Sequence, residues 1–195
     1  PGIVFDGWQD KKEELYWVTA HEIGHNWFPM IVGSDERRYA FMDEGFNTFI
    51  DVYAADNFNN GEFAPKRYGE YAPGKGNPSE EIIPLLKDSN ALTMMDRADM
   101  FPEKYRHPVE YFKPALGLVL LREAVLGHDR FDYAFKKYIE RWSYKHPAPD
   151  DFFRTMDNEA GEDLTWCGRE GCQNNRQLDL AVQSVSYVNN DIKNG

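Results

Sequence analysis

Apolar positions in the first third of the chain recur at helical spacings and predict two helices. The first covers residues 11–28, where Pro29 and Gly33 close the segment. The second covers residues 39–58, with an inward row of aromatic side chains, and stops at the Asn-Asn-Gly sequence of residues 59–61. We expect the first helix to be well buried, because it is apolar on several sides.

The pattern changes after residue 61. Residues 61–108 carry many of the glycines and prolines and show only broken periodicity, which predicts loops with short helices. Regular helical spacing returns over residues 110–126, 129–143 and 150–160, each bounded by glycine, proline or aspartate. The sequence therefore predicts a mainly α protein.

The C-terminal end lacks a clear period. We expect residues 1–164 to form one helical unit and residues 165–195 to be an irregular segment, a remodelled interface and linker, with a weak helix over about 177–184. The chain starts at Pro1 without an initiator methionine or a leader, which suggests that it was cut from a longer protein.

Composition and charge exclude some classes of function. The chain has 195 residues, 42% of them hydrophobic, as in a globular protein, and its longest apolar run, residues 115–121, is too short to span a bilayer. A net charge of -11 with scattered basic residues argues against a nucleic-acid partner. We therefore expect a soluble protein. Cys167 and Cys172 form neither a disulfide framework nor a zinc ribbon, so the compartment stays open between the cytoplasm, the periplasm and secretion.

A metal motif lies in the first predicted helix. His21 and His25 are separated by one helical turn, so both imidazoles lie on one face and can reach the same ion. Glu22 lies about 100° round the helix from His21, close enough to meet a water at the ion without being a ligand. The pattern predicts zinc ligands at the two histidines and a general base at Glu22.

A peptidase zinc needs a third protein ligand and one open position. Glu44, separated from His25 by eighteen intervening residues and near the start of the second helix, supplies it, and Gly45 beside it lets helix backbones approach closely. H-E-x-x-H also arises by chance, but the added carboxylate favours a site for one Zn²⁺ per chain. Asp51, two turns further on, either accepts a hydrogen bond from a ligand imidazole or is an ordinary exposed carboxylate.

Residues 21–27 and 43–46, with their eighteen-residue spacing, resemble the aminopeptidase N family of gluzincins, which includes the leukotriene hydrolase branch. Residues 110–115 resemble the family's Y-E-K-G segment, although Phe112 and Pro114 replace its Glu and Gly. The resemblance extends to about Leu164. It implies the helical subdomain of a thermolysin-like (zincin) catalytic domain, and it implies that Tyr111 donates a hydrogen bond to the oxyanion.

The resemblance further implies an aminopeptidase that removes N-terminal residues from peptides with a zinc-activated water. Family members hold the substrate amine with a G-x-M-E-N segment that would precede Pro1, so the chain alone is expected to be inactive and to pack normally against missing N-terminal and C-terminal parts. An endopeptidase or an epoxide hydrolase on the same site remains open, as does a zinc-stabilised module without catalysis. The other histidines, His107, His128 and His146, are read as surface residues in loops.

Overall fold

The computed structural model describes residues 7–64 and 90–168, together with residues 82, 84, 85, 87 and 88. Every regular element within these residues is helical, which confirms the mainly α prediction. None of the helices in the described part is both long and apolar enough to cross a bilayer. Cys172 and the weak helix predicted over 177–184 lie outside the described residues, so the division at residue 164 stays a prediction.

The first two helices carry the metal motif. Helix α1 is Lys12–Gly24, and helix α2 is Glu44–Asn57, preceded by a 3₁₀ turn at Ala40–Met42. The prediction that α1 continues to residue 28 is wrong, because the chain turns tightly after Gly24. After Gly24 the N–H groups of Asn26 and Trp27 donate to carbonyl oxygens three residues earlier, those of Ile23 and Gly24, so the chain leaves the α-helical pattern before it reaches Pro29.

A long helical run follows the loop region. It consists of α3 (Glu103–Arg106), a π-helix (His107–Phe112), α4 (Lys113–Leu120) and a second π-helix (Leu121–Val125). The predicted helix over 110–126 therefore begins earlier, at Glu103. Proline 108 lies inside the wide π turn that the Lys113 N–H closes on its carbonyl oxygen, so this proline does not end the helix.

The last two helices match their predictions within a residue. They are α5 (His128–Trp142) and α6 (Pro149–Ala160). Gly161 ends α6 in the left-handed conformation, at φ 64°, as expected of a C-terminal glycine. The side chain that caps the start of α6 is Asp151, which accepts a hydrogen bond from the Ala148 N–H over 3.0 Å.

The core is built from aromatic rings contributed by α2, α5 and α6. Phe46 of α2 lies at its centre, with ring centroids 5.5 Å from Phe28, 6.3 Å from Phe135 and 4.8 Å from Phe152. Such closely spaced edge and tilted contacts add to the burial of each ring. These ring contacts hold α2, and with it Glu44, in a defined orientation relative to the rest of the molecule.

Helix α1 packs mainly on α2 within the described residues. The expectation that α1 is well buried is wrong: only Trp17 and Gly24 are buried, whereas Ile23 is 54% and Trp27 is 50% exposed. The reason is that a single neighbouring helix covers only one side of α1. Leu15 and Ile23 of α1 are exposed, as is Trp27 in the turn that follows it, whereas Tyr16 and Val18 are half-buried.

Candidate metal centre

The two histidines of the motif meet at the end of α1. His21 lies in the last turn of α1 and His25 is its C-terminal cap, so one helical turn separates them. Their ring centroids are 4.7 Å apart and the ring planes are nearly perpendicular, at 85°. This arrangement directs both Nε2 atoms toward the start of α2.

Glu44, the first residue of α2, lies opposite the two rings. Its Oε2 atom is 3.0 Å from Nε2 of His21 and 3.5 Å from Nε2 of His25. One ligand atom from each of the three residues lies within 4.8 Å of the others. The structure thus brings together the three residues predicted as zinc ligands.

A close contact between α1 and α2 holds this arrangement. Asn47 is fully buried on α2 and donates a hydrogen bond from Nδ2 to the carbonyl oxygen of His21, at 2.6 Å. A Cβ atom at Gly24 would lie only 2.0 Å from Oδ1 of Asn47, so only glycine allows this approach. Sequence reasoning missed this contact, although a glycine in the motif and an asparagine on the buried face of α2 were visible signals.

Each imidazole is oriented through its other nitrogen. Nδ1 of His21 lies 2.7 Å from Oδ2 of Asp51, whose side chain is buried, so the alternative of an exposed carboxylate is wrong. Nδ1 of His25 points at the carbonyl oxygen of Phe28, 2.8 Å away, and Oδ1 of Asp43 lies 2.9 Å from the same nitrogen but off the N–H axis. These contacts leave both Nε2 atoms available to an ion, as in histidine metal sites generally.

The donor set fits a tetrahedral zinc ion. Ligand distances of about 2.1 Å place the ligand atoms of a tetrahedral site about 3.4 Å apart. The separations of 3.0 and 3.5 Å between Glu44 and the two imidazoles agree with this spacing. Two nitrogens and one carboxylate also leave a fourth position open, which distinguishes catalytic from structural zinc sites.

Tyr111, in the first π-helix, lies against the same group. Its ring stacks on that of His21 with centroids 5.7 Å apart, and its side chain lies beside the carboxylate of Glu44. Gly45 permits this proximity, since a Cβ there would lie 2.3 Å from Cγ of Pro114 in α4. The glycine therefore brings α2 close to the helical run that bears Tyr111.

A family model described as the Peptidase family M1 domain matches residues 5–170. The chain belongs to peptidase family M1. Among curated relatives of this M1 domain, human endoplasmic reticulum aminopeptidase 2 is 25% identical over 172 residues, and aminopeptidase M1-A of Oryza sativa subsp. japonica is 22% identical over 165 residues. The chain spans 16% and 18% of their lengths, and each match covers 82% of the chain.

Solved structures of M1 zinc metallopeptidases share the fold. The crystal structure of a mutant M1 zinc metallopeptidase from Deinococcus radiodurans, bound to a Tyr-Ser-Ala substrate, superimposes with a TM-score of 0.59 at 16% identity. The match covers 88% of this chain and 34% of the bacterial chain. It confirms the expected helical part of a metallopeptidase fold.

The ionisable side chains around the metal-binding motif shift one another's pKa values. Burial alone lowers the pKa of His21, but hydrogen bonds to Asp51 and Glu44 outweigh it and raise the pKa to about 10. Burial also opposes ionisation of Glu44, yet the contact with His21 leaves its pKa below the ordinary value. Burial raises the pKa of Asp43 to about 6. The carboxylates thus create a site that favours positive charge.

Tyr111 is held in its neutral form. Burial and the charge of Glu44 raise its pKa above the ordinary value for a phenol, so the hydroxyl remains a hydrogen-bond donor. Glu110, next to it, is 6% exposed, and burial together with Glu44 raises its pKa to about 7. A neutral hydrogen-bond donor beside the candidate metal ligands is suited to stabilising a developing negative charge.

The other predicted residues take different positions. Glu22 is half-buried on α1, directly after His21. His107 and His128 are exposed, as expected, but they lie in helices rather than in loops, whereas His146 lies in a loop at the surface. Cys167 is a partly buried free thiol whose pKa burial raises to about 11.

Proposed function

We propose that this chain is the metal-binding part of a zinc aminopeptidase that removes N-terminal residues from peptides. The observation that carries the proposal is the convergence of His21, His25 and Glu44 within 4.8 Å in a chain of peptidase family M1. These three residues would hold one zinc ion per chain. When bound, the ion supplies Lewis-acid polarisation of the scissile carbonyl group and of a water molecule.

Two residues of the chain then act directly on the reacting groups, one by transferring a proton and one by stabilising the negative charge. Glu22 takes the proton from the attacking water and passes it to the leaving amine, a role supported by its position directly after His21 on α1. Tyr111 donates a hydrogen bond from its hydroxyl group to the oxyanion that forms from the carbonyl oxygen. This role is supported by its position beside Glu44. Asp51 and the carbonyl group of Phe28 hold the two imidazoles in place through their Nδ1 atoms.

Elemental analysis of the purified chain tests the ligand assignment. The wild-type chain should contain about one zinc ion, and His21→Ala or Glu44→Ala should lose it because each removes a ligand. Glu22→Gln, the matched control, should keep the zinc because Glu22 is not a ligand, and it should abolish hydrolysis in a version extended upstream, where activity is expected. Full zinc content in His21→Ala would show that the ion, if present, is bound elsewhere.

The reaction is tested with substrates that have free and blocked amino ends. An aminopeptidase cleaves an aminoacyl anilide but not its N-acetylated form, whereas an endopeptidase cleaves blocked peptides, and an epoxide hydrolase opens an epoxide. We expect the 195-residue chain to cleave the anilide much more slowly than a version extended upstream through the family's amine-binding segment, because substrate positioning contributes several kcal/mol to catalysis. Zinc binding without any hydrolysis in the extended version would support a zinc-stabilised module instead.

The exposed face of α1 supports a larger assembly. Leu15, Ile23, Trp27 and Phe58 border an apolar groove of about 960 Å³, and each is at least 45% exposed. A contiguous apolar surface of this kind usually marks a contact site. We therefore propose that further parts of the parent polypeptide, as present in the longer M1 relatives, cover this groove.

A further inference from the structure

The ring of Tyr111 contacts a second imidazole besides that of His21. The centroid of the His107 ring lies 4.8 Å from that of Tyr111, with an angle of 47° between the ring planes, whereas the His21 ring lies 5.7 Å away at 25°. His107 belongs to the same π-helix as Tyr111, and His21 belongs to α1. The phenol ring is therefore supported from its own helix as well as from the metal centre.

The width of the π-helix accounts for the position of His107. The Lys113 N–H donates to the carbonyl oxygen of Pro108, five residues earlier. In such a turn residue i lies beside residues i+4 and i+5. The His107 ring accordingly contacts two consecutive rings, that of Tyr111 and that of Phe112, whose centroid is 6.2 Å away.

His107 is not a member of the candidate metal group. Within the described part of the chain, the side chains that converge within 4.8 Å of one another are those of His21, His25 and Glu44. His107 is exposed, and its ring packs on the neighbouring aromatic side chains instead. An influence of His107 on the reaction therefore passes through Tyr111.

The Tyr111 ring needs this support because it borders open space. Tyr111 and His107 both line a cavity of about 380 Å³, so the phenol ring has room to turn away from His21. A donor stabilises an oxyanion only when it lies within about 3 Å of the position where the charge develops. A hydroxyl group that turns into the cavity cannot meet this requirement.

Building on the proposed role of Tyr111 as the oxyanion donor, we propose that His107 is a positioning residue, whose ring packs against the phenol ring and keeps the Tyr111 hydroxyl directed at the metal centre. A tilted ring pair favours one arrangement of the rings over others by about 2- to 10-fold. Because the hydroxyl group acts on the transition state, loss of the His107 ring lowers the turnover rate and leaves substrate binding unchanged.

Steady-state kinetics of an active version of the chain, extended upstream, test the proposal. His107→Ala should lower kcat by about 2- to 10-fold at unchanged KM and zinc content. His107→Phe, which restores a ring, should return kcat to the wild-type value. His128→Ala, the matched control, removes an exposed imidazole from α5 and should leave kcat unchanged. A wild-type kcat in His107→Ala, or a kcat that stays low in His107→Phe, would overturn the proposal.

A double-mutant cycle with Tyr111→Phe identifies the group on which His107 acts. If His107 acts through the Tyr111 hydroxyl, His107→Ala should lower kcat no further once that hydroxyl is absent. An equal loss of kcat in the presence and in the absence of the hydroxyl would show that His107 acts on the substrate directly. The positioning role would then be wrong.

NMR of the 195-residue chain without metal separates this proposal from the proposed function. The ring signals of Tyr111 and His21 are identified by their loss in Tyr111→Phe and His21→Ala, and nuclear Overhauser effects between the two rings report their stacking. These effects should weaken in His107→Ala and persist in His107→Phe. If the extended version hydrolyses nothing, the proposed function fails, and this measurement still decides whether His107 holds Tyr111. Unchanged effects in His107→Ala would show that it does not.

Discussion

Replacement of Gly24 by alanine tests whether the contact between α1 and α2 builds the metal centre. The added Cβ would lie 2.0 Å from Oδ1 and 2.9 Å from Cγ of Asn47. Asn47 cannot move into solvent, because it is 0% exposed and donates its amide hydrogen to the carbonyl oxygen of His21. The two helices must separate or the hydrogen bond must break.

The expected loss of stability follows from opposing contributions. Alanine in place of glycine in a helix favours folding by at most about 1 kcal/mol. Overpacking opposes it by about 1–3 kcal/mol, and a broken buried hydrogen bond with unsatisfied partners opposes it by a further amount of about 1–3 kcal/mol. We expect Gly24→Ala to lower the free energy of unfolding by about 2–4 kcal/mol.

Gly117 offers a matched control in α4. A Cβ there would meet nothing within 4 Å, so Gly117→Ala should raise the free energy of unfolding by about 0.5–1 kcal/mol through helix propensity alone. Urea denaturation measures both changes, and competition with a chelator measures zinc affinity. Gly24→Ala should weaken zinc binding, because the clash displaces the turn that carries His21, whereas Gly117→Ala should leave it unchanged.

A double-mutant cycle identifies the clash as the cause. Asn47→Ala removes the atoms that the new Cβ would meet, so Gly24→Ala should be less destabilising in that background, with an interaction energy of about 1–3 kcal/mol. If Gly24→Ala instead stabilises the chain as Gly117→Ala does, or if the cycle shows no coupling, the close contact between α1 and α2 does not control the site.

Three further predictions concern single residues. Asp51→Asn should weaken zinc affinity by about 10- to 100-fold in chelator competition, because the hydrogen bond that orients His21 loses its charge, and an unchanged affinity would remove Asp51 from the site. Tyr111→Phe in an active, extended chain should lower the turnover rate by about 100-fold at unchanged zinc content, whereas a wild-type rate would make Tyr111 a packing residue. In a Cys172→Ser background, Cys167 should react with iodoacetamide at pH 8 about 100-fold more slowly than a solvent-exposed cysteine, and an equal rate would contradict its burial. The reason is that burial raises its pKa to about 11, so thiolate forms only as the pH approaches that value.

The three proposed metal ligands could be predicted from the sequence, because local helix geometry determines most of their arrangement. Residues one turn apart on a helix share a face, so His21 and His25 were expected to meet whatever the rest of the chain does. The prediction of Glu44 as the third ligand required only that a second helix begin near the two histidines, and α2 does so. Asp51 follows Glu44 at a helical spacing, which is why one of its two readings matched the structure.

Features that depend on packing were not predictable. The end of α1 at Gly24 could not be predicted from the sequence, because Trp27 and Phe28 continue the apolar spacing although the chain already turns there. The outward orientation of Ile23 and Trp27 depends on which neighbours α1 has, and a hydrophobic pattern does not contain that information. The two π-helices in the run after Glu103 were not predicted either, because a hydrophobic pattern does not distinguish a π-helix from an α-helix.

The arrangement of the site has a consequence for how metal binding and folding are linked. His21 and His25 come from the end of α1, and Glu44 from the start of α2, so an ion held between them bridges two helices. The same helices are joined by the contact of Gly24 with Asn47 and by the hydrogen bond between His21 and Asp51. An ion that binds the folded chain and not the unfolded chain adds its binding free energy to stability. Zinc should therefore stabilise the junction of α1 and α2 more than the aromatic core around Phe46, which is held by packing alone.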